Sequence, residues 1–196
     1  MDMLAQPQPS YDWLLGESAD IAPMLLGWEL VTNINGHETA GWILETEAYG
    51  GNLDPASHAF SGPSARNATM FKSGGHIYTY LSYGIHTCLN IVTGPVGSGQ
   101  AVLIRSLAPT RGLDVMSSRR GLNNPRLLTS GPGRLAQALG VTLSHDGELI
   151  GSNISLRPPK HNINPKDITS GPRVGITKAS DFPWRFVVDP RLIWLG

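Results

Sequence analysis

From Trp28 onward, apolar and polar residues alternate along the chain with a period of two, the spacing of a strand with one covered face. "WELVTNI" (28–34) and "TAGWILETEAY" (39–49) flank Asn35-Gly36, a pair that tolerates the two positive φ angles of a type I′ turn, so a hairpin is predicted. Strand periodicity puts Ile43, Glu45, Glu47 and Tyr49 on one face of its second arm and Leu44, Thr46 and Ala48 on the other. A second hairpin is predicted from "HIYTYL" (76–81), the tip "SYG" (82–84) and "IHTCLNIVTG" (85–94), followed by a buried strand at "QAVLIRSL" (100–107). Further strands are expected at "RVGITKA" (173–179) and "WRFVVD" (184–189). Helical signals are shorter. Asp20 is a candidate cap for a helix ending near Gly27, and "TRGLDVMSSRR" (110–120) is stopped by Gly121. "SGPGRLAQAL" (130–139) has Ser130 as cap, Pro132 in its first turn and Gly140 as terminator. The stretch "RPPKHNINPKDITSGP" (157–172) reads as a Pro-rich loop, and the first ten residues as a loosely ordered segment. These elements predict an α+β fold: one domain over residues 1–196, a mostly antiparallel curved sheet with short surrounding helices and a protruding hairpin.

Composition narrows the picture. At 196 residues the chain can bury a sizeable core, and 23 glycines with 15 prolines agree with many turns and short helices. The single cysteine, Cys88, excludes an intrachain disulfide and fits a reducing compartment. No basic start followed by an apolar run suggests a secretory signal, and apolar stretches such as "AVLI" are far too short to span a bilayer. The net charge is zero, yet its distribution is lopsided. Residues 1–60 hold nine acids and no Lys or Arg, whereas 61–196 hold all fifteen basic residues against six acids. Six arginines fall between 105 and 134, and their planar forks suit phosphate. The alternative is a surface whose arginines pair with the acidic first part.

Candidate chemistry centres on the two hairpins. Glu45 and Glu47, two residues apart on one strand face, are placed to activate water or stabilise developing positive charge; a plain solvated face is the alternative. Tyr49, Tyr78 and Tyr80 offer flat surfaces for a planar base, although core packing explains most strand tyrosines. Tyr83 is different, because a large aromatic at a turn tip has no core to join, and side chains of that kind wedge into DNA where a nucleotide has been extruded. No zinc spacing, P-loop, dinucleotide fingerprint or serine elbow is present, and no lysine adjoins the glutamate or tyrosine motifs. A sugar or nucleoside hydrolase using the Glu45/Glu47 pair, and a nucleic-acid-binding module without turnover, both stay open on these residues.

The motifs "ETEAY" (45–49), His58, "RNATMF" (66–71), "YTYLSYGIHTCLNI" (78–91), "VLIRSL" (102–107), "SGPGRLAQAL" (130–139) and "RVGI" (173–176), in this order and spacing, resemble the alkyladenine (3-methyladenine) DNA glycosylase family of base-excision repair. The resemblance implies that Glu47 is the base that deprotonates a water for attack on the sugar C1′. Arg105 and the backbone carbonyl of Val174 then help to position that water. Tyr49, His58 and Tyr80 become the walls that sandwich a flipped base, with the His58 amide bonding to the purine 6-position. Asn90 excludes guanine through its 2-amino group, and Tyr83 is the side chain inserted into the duplex. Glu45 matches no catalytic role. It further implies double-stranded DNA with damaged purines as partner, a monomer without cofactor or metal, base release without strand cleavage, and a cytoplasmic, nucleoid or nuclear location.

Overall fold

In a computed structural model, residues 10–159 and 163–194 are described, so most of the expected loosely ordered N-terminal segment lies outside the described residues. Eight strands form one sheet: β1 (Glu29–Ile34), β2 (His37–Gly50), β3 (Ile77–Ser82), β4 (His86–Thr93), β5 (Gln100–Arg111), β6 (Ile154–Arg157), β7 (Ile168–Gly171) and β8 (Arg185–Val188). The main order is β3-β4-β5-β2-β1-β6, every pairing is antiparallel, and β8 pairs with both β2 and β7. The sheet forks along one edge of β2: residues 37–42 pair with β1, and Glu45–Glu47 pair with β8. Among the described residues, five short α-helices surround it: α1 (Ser18–Met24), α2 (Leu113–Arg120), α3 (Pro125–Leu128), α4 (Pro132–Leu139) and α5 (Pro190–Trp194). This is the expected α+β arrangement. No helix among the described residues is long and apolar enough to cross a membrane.

The Asn35-Gly36 hairpin forms as expected, with φ of 55° and 74° at its two central residues. α2 stops at Gly121 and α4 at Gly140, each glycine in the left-handed conformation, and Pro132 opens α4. Other expectations need correction. The N-cap of α1 is Glu17, while Asp20 sits in the first turn, where its charge suits the helix dipole. Thr110 and Arg111 continue β5, so α2 begins only after Gly112. Gly131, with φ 128°, takes the N-cap position of α4; the Ser130 hydroxyl accepts from Arg134 instead. β7 runs inside the Pro-rich stretch expected to be loop, and β6 ends in its first residue. Residues 173–179 are not a strand. Gly175 and Ala179 have φ of 76° and 47°, which no ladder accommodates, and the segment folds over the sheet as a loop.

The two faces of the sheet have different tasks. Ala48, Ile77, Leu89, Ile91, Val102 and Ile104 point to one side and join Leu14, Ile21, Leu25, Leu135 and Leu139 in the main core, each fully buried or nearly so. A fully buried aliphatic of this kind contributes about 1.5–3 kcal/mol. The intervening residues Glu47, Tyr49, Tyr78, Tyr80, Cys88, Asn90, Leu103 and Arg105 point to the other side. Their registers align Tyr78 with Asn90, Asn90 with Leu103, and Leu103 with Glu47, a row crossing four strands.

Two adjacent irregularities aim this row. Between Ile43/Glu45 and Leu107/Ser106, Leu44 is the extra residue on β2; between Glu45/Thr46 and Ser106/Ile104, Arg105 is the extra residue on β5. A bulge turns side chains to the other face. Ile43 therefore lies in the core with Ala48, contrary to the expectation that it shares a face with Glu45, Glu47 and Tyr49.

Candidate active site

The polar face of the sheet forms the floor of an open cavity of about 650 Å³. One wall is the loop after β2, which carries His58; the facing wall is the 174–178 segment. Of the eight candidate residues, Tyr49, His58, Tyr80, Tyr83, Asn90, Arg105 and Val174 line this space. Glu47 does not. Its side chain is fully buried directly beneath, and all three of its partners are lining residues. Oε1 accepts from the Val174 N–H at 2.7 Å and lies 3.3 Å from Arg105 Nη1, while Oε2 accepts from the Tyr49 hydroxyl at 2.9 Å. Burying a carboxylate costs several kcal/mol. Two hydrogen bonds, from the Val174 N–H and the Tyr49 hydroxyl and each worth about 1.5–3 kcal/mol to a charged group, offset that cost together with the Arg105 charge and fix the orientation. Sequence pointed to the Val174 carbonyl; the contact that the structure gives Val174 is instead its N–H clamped on the glutamate.

Glu45 acquires a function here. Its Oε1 accepts from Arg105 Nε at 2.8 Å and from Arg185 Nε at 2.6 Å. Burial would raise the Glu45 pKa, but the hydrogen bonds from Arg185 and Arg105 outweigh it and hold the carboxyl below its ordinary range. Arg105 is thereby held between the two glutamates. Burial alone would lower its pKa, yet Glu47 and Glu45 raise it, so the guanidinium stays charged. Two glutamates sharing one arginine from one strand cannot straddle a glycosidic bond, as paired glycosidase carboxylates do.

The aromatic wall is built on β3 and the His58 loop. The Tyr78 and Tyr80 rings stack at 5.6 Å between centroids, and His58 stands edge-on to Tyr80 at 4.5 Å. His58 Nδ1 hydrogen bonds with the Tyr78 hydroxyl at 3.0 Å. Burial, and then the Arg66 charge, lower the His58 pKa and favour the neutral ring. Burial also pushes the Tyr78 hydroxyl up to about 12 and that of Tyr80 beyond the ordinary tyrosine range. The Tyr49 pKa is raised by burial and then by Glu47, so its proton remains available to the glutamate. Asn67 holds the His58 loop in place by donating to the His58 and Gly62 carbonyls. On the floor, Asn90 is buried and its Nδ2 donates to the Tyr78 carbonyl at 3.1 Å, which fixes the direction of the remaining amide oxygen.

At the rim, the Ser82–Ile85 turn closes through an Ile85 N–H bond to the Ser82 carbonyl. Tyr83 and Gly84 have φ of 51° and 72°. Tyr83 is 88% exposed and Ile85 73% exposed. A bulky residue at positive φ is unfavourable, and this one gains almost no burial in return.

Tyr78, singled out from sequence as a flat surface, lines the cavity too, whereas Cys88 and Arg66 were given no role there, and the fold brings Lys178 to its wall although no lysine adjoins the glutamate or tyrosine motifs in sequence. The arginine-rich stretch is partly consumed internally. Arg105 pairs with Glu45 and Glu47, Arg111 with Glu29 and Glu38, Arg119 donates to the Ala138 carbonyl, and Arg120 contacts the Gln137 amide oxygen. The pairing between basic and acidic parts, the alternative left open by charge alone, therefore accounts for Arg105 and Arg111.

The pattern of the Methylpurine-DNA glycosylase (MPG) family matches residues 12–191 of the chain. The chain belongs to the methylpurine-DNA glycosylase family. Similar proteins are found in bacteria and archaea, each bearing the name "Putative 3-methyladenine DNA glycosylase". That of Nitrosospira multiformis is 49% identical over 93% of this chain and 91% of its own length. That of Methanoculleus marisnigri is 46% identical over 87% and 89%. That of Agrobacterium fabrum is 42% identical over 95% and 91%. The family match spans both hairpins, the His58 loop and the 173–178 segment, so every part of the cavity described above lies within it.

Proposed function

We propose that this methylpurine-DNA glycosylase family member extrudes damaged purines from duplex DNA and hydrolyses their N-glycosidic bond with a water activated by Glu47. Membership makes it a DNA glycosylase, a hydrolase of N-glycosyl bonds. The supporting observation is the clamp on Glu47: a buried carboxylate held by Tyr49, Arg105 and Val174 under an aromatic cavity wide enough for a purine. A carboxylate offers about four acceptor directions. Two accept hydrogen bonds and the Arg105 guanidinium faces Oε1, which leaves a direction on Oε2 to accept the proton of the attacking water. Because Glu47 is sealed in this state, substrate entry must move the Tyr49 hydroxyl or the Arg105 guanidinium to admit water, in keeping with catalytic contacts that settle only in the substrate complex.

The chemistry follows from the geometry. Extrusion of a nucleotide costs a few kcal/mol, least for a damaged or mispaired base. Tyr83 at the hairpin tip fills the gap, while Tyr49, His58 and Tyr80 stack on the base and the His58 amide meets the purine 6-position. The C1′–N9 bond breaks with its electrons leaving on the base, an oxocarbenium-like sugar is stabilised by Glu47, and water adds to C1′ as its proton passes to the carboxylate. Ring-methylated purines such as 3-methyladenine leave as neutral bases from a cationic nucleotide; hypoxanthine and ethenoadenine need protonation, supplied through water. Asn90 rejects guanine by collision with its 2-amino group. With water as the nucleophile the product is an abasic site in an uncut strand. The enzyme works as a monomer without cofactor, on double-stranded DNA in a nucleoid or nucleus.

The test is base release from methylated DNA and from duplexes with a single hypoxanthine or ethenoadenine, comparing the wild type with Glu47→Gln. Gln fits the clamp, because its oxygen can keep the Val174 N–H and its amide can donate to the Tyr49 hydroxyl. The variant should stay folded and lose about 10²–10⁴-fold in rate, the range for a general base. Undiminished release by the folded variant removes Glu47 from the mechanism, and damage-selective binding with no release by the wild type replaces the enzyme with a binding module.

A further inference from the structure

Asp54 and Arg173 form an ion pair with both side chains fully buried. Neither borders the cavity, and neither belongs to the set of groups that would touch substrate. Arg173 donates from both terminal nitrogens to the two Asp54 oxygens, and from Nη1 also to the Ala48 carbonyl at 2.9 Å. Its Nε is buried with no hydrogen-bond partner among the described residues. Asp54 in turn accepts from the Gly50 N–H at 3.1 Å and the Ala56 N–H at 3.0 Å. The guanidinium lies 4.7 Å from the centre of the Tyr49 ring and 5.3 Å from that of Trp184.

These contacts join three separate pieces of the site. Ala48 and Gly50 flank Tyr49, and so fix the strand at the residue that donates to Glu47. Ala56 starts the turn that leads to His58. Arg173 immediately precedes Val174, whose N–H holds Glu47 Oε1. A stacked cation on Tyr49 also sets the plane of a ring that lines the cavity. Buried ion pairs are poor sources of net stability, since apolar residues of similar volume often serve as well, and this pair leaves a buried N–H unsatisfied. What apolar packing could not supply is direction: the five polar contacts just named, each with a defined donor and acceptor.

We infer that the buried Asp54–Arg173 pair is a positioning unit that holds Val174 and Tyr49 in register on Glu47, and thereby sets the rate of the hydrolytic step and not the affinity for DNA. The inference rests on Glu47 being the base that activates water. A displacement of about 1 Å at a reacting group can cost about 100-fold in rate.

The test uses Asp54→Leu/Arg173→Met, which removes both charges together, and Arg173→Lys, which keeps a buried cation but not the fork. Single-turnover release of 3-methyladenine from methylated duplex DNA is measured beside the Kd for a duplex bearing a tetrahydrofuran abasic analogue. Thermal melting and titration of active sites report the folded fraction. The double variant should melt below the wild type, because Gly50, Ala56 and Ala48 lose a polar partner, yet bind within about threefold and, per folded molecule, release base about 100-fold more slowly; Arg173→Lys should fall between the two. In a Glu47→Gln background the same changes should slow release by less than about threefold, because the group they position is gone. A folded double variant that releases base within about threefold of the wild type overturns the inference, as does an undiminished 100-fold loss on top of Glu47→Gln. If the double variant does not fold, Arg173→Lys decides by the same criteria. Wild-type rates in Glu47→Gln alone would instead remove the base assignment beneath it, a result distinguishable from either of these.

Discussion

Replacing Tyr83 by glycine should leave the protein about as stable or more so while impairing its work on duplex DNA. Tyr83 holds φ at 51°, and the left-handed conformation costs an L-residue about 1–2 kcal/mol that glycine does not incur. Glycine loses more backbone freedom on folding, which returns about 0.4–1 kcal/mol of destabilisation. Side-chain burial barely enters, since the ring is 88% exposed and the covered fraction is worth about 0.3 kcal/mol at the usual value for an aromatic ring. The balance lies between about 0.3 kcal/mol against glycine and about 1.3 kcal/mol in its favour. For a chain of this length that is a change in Tm between a fall of about 1 °C and a rise of about 5 °C. Loss of the wedge should remove about 1–3 kcal/mol of stacking, a fall of about 5- to 150-fold in single-turnover release from duplex DNA. Release from the same lesion in a single strand, where there is no gap to fill, should stay within about threefold. A fall in Tm of more than about 3 °C would show that Tyr83 is packed and not strained. Equal losses on single- and double-stranded substrates would sink the plug.

Other outcomes follow from the same geometry. Glu45→Gln should slow release by about 10-fold, far less than Glu47→Gln, because Arg105 loses one of its two anchors but keeps the other; rates for both variants measured side by side check the order. His58 has a folded-state pKa below its unfolded value, so the unfolded chain binds more protons in that window; the contribution is present above the unfolded pKa and lost as pH falls toward the folded one. Tm should therefore drop on acidification from pH 7.5 to 5 by more in the wild type than in His58→Gln, and parallel curves would exclude His58 as the source. Asn90→Ala should allow release of 7-methylguanine or guanine to rise by about 10-fold relative to 3-methyladenine, and an unchanged ratio of released bases would free Asn90 of that role.

Much of this architecture is legible in the chain because local chemistry and long-range order agree. Asn35-Gly36 announces its turn, and the alternation through 77–82 and 86–93 puts Tyr78, Tyr80 and Asn90 on the face opposite Ile77, Leu89 and Ile91. What escaped notice has physical reasons. Strands of four residues, such as "ISLR" and "ITSG", are too short to display a period, and one of them lies amid prolines. "RVGITKA" has strand-like composition, yet a buried Arg173 anchors it as a loop through contacts with residues more than 100 positions away. The bulges at Leu44 and Arg105 carry no glycine to mark them. Asp54 left a faint trace, because Asp followed by Pro with an amide two residues on is an Asx turn, and its side chain accepts from Ala56 as such turns do.

The doubled bulge has a consequence for how this protein can change. Since one surplus residue on β2 is answered by one on β5, the strand behaves as two rulers joined end to end. The half before Leu44 is paired with β1 and the half that carries Glu47 with β8, so a change of register in the first need not reach the second. Deleting either surplus residue alone would turn one strand over relative to the other, and only removal of both together could restore the match. Because the surplus residue on β5 is also the arginine held between Glu45 and Glu47, the matched bulges can be lost only together with that anchor.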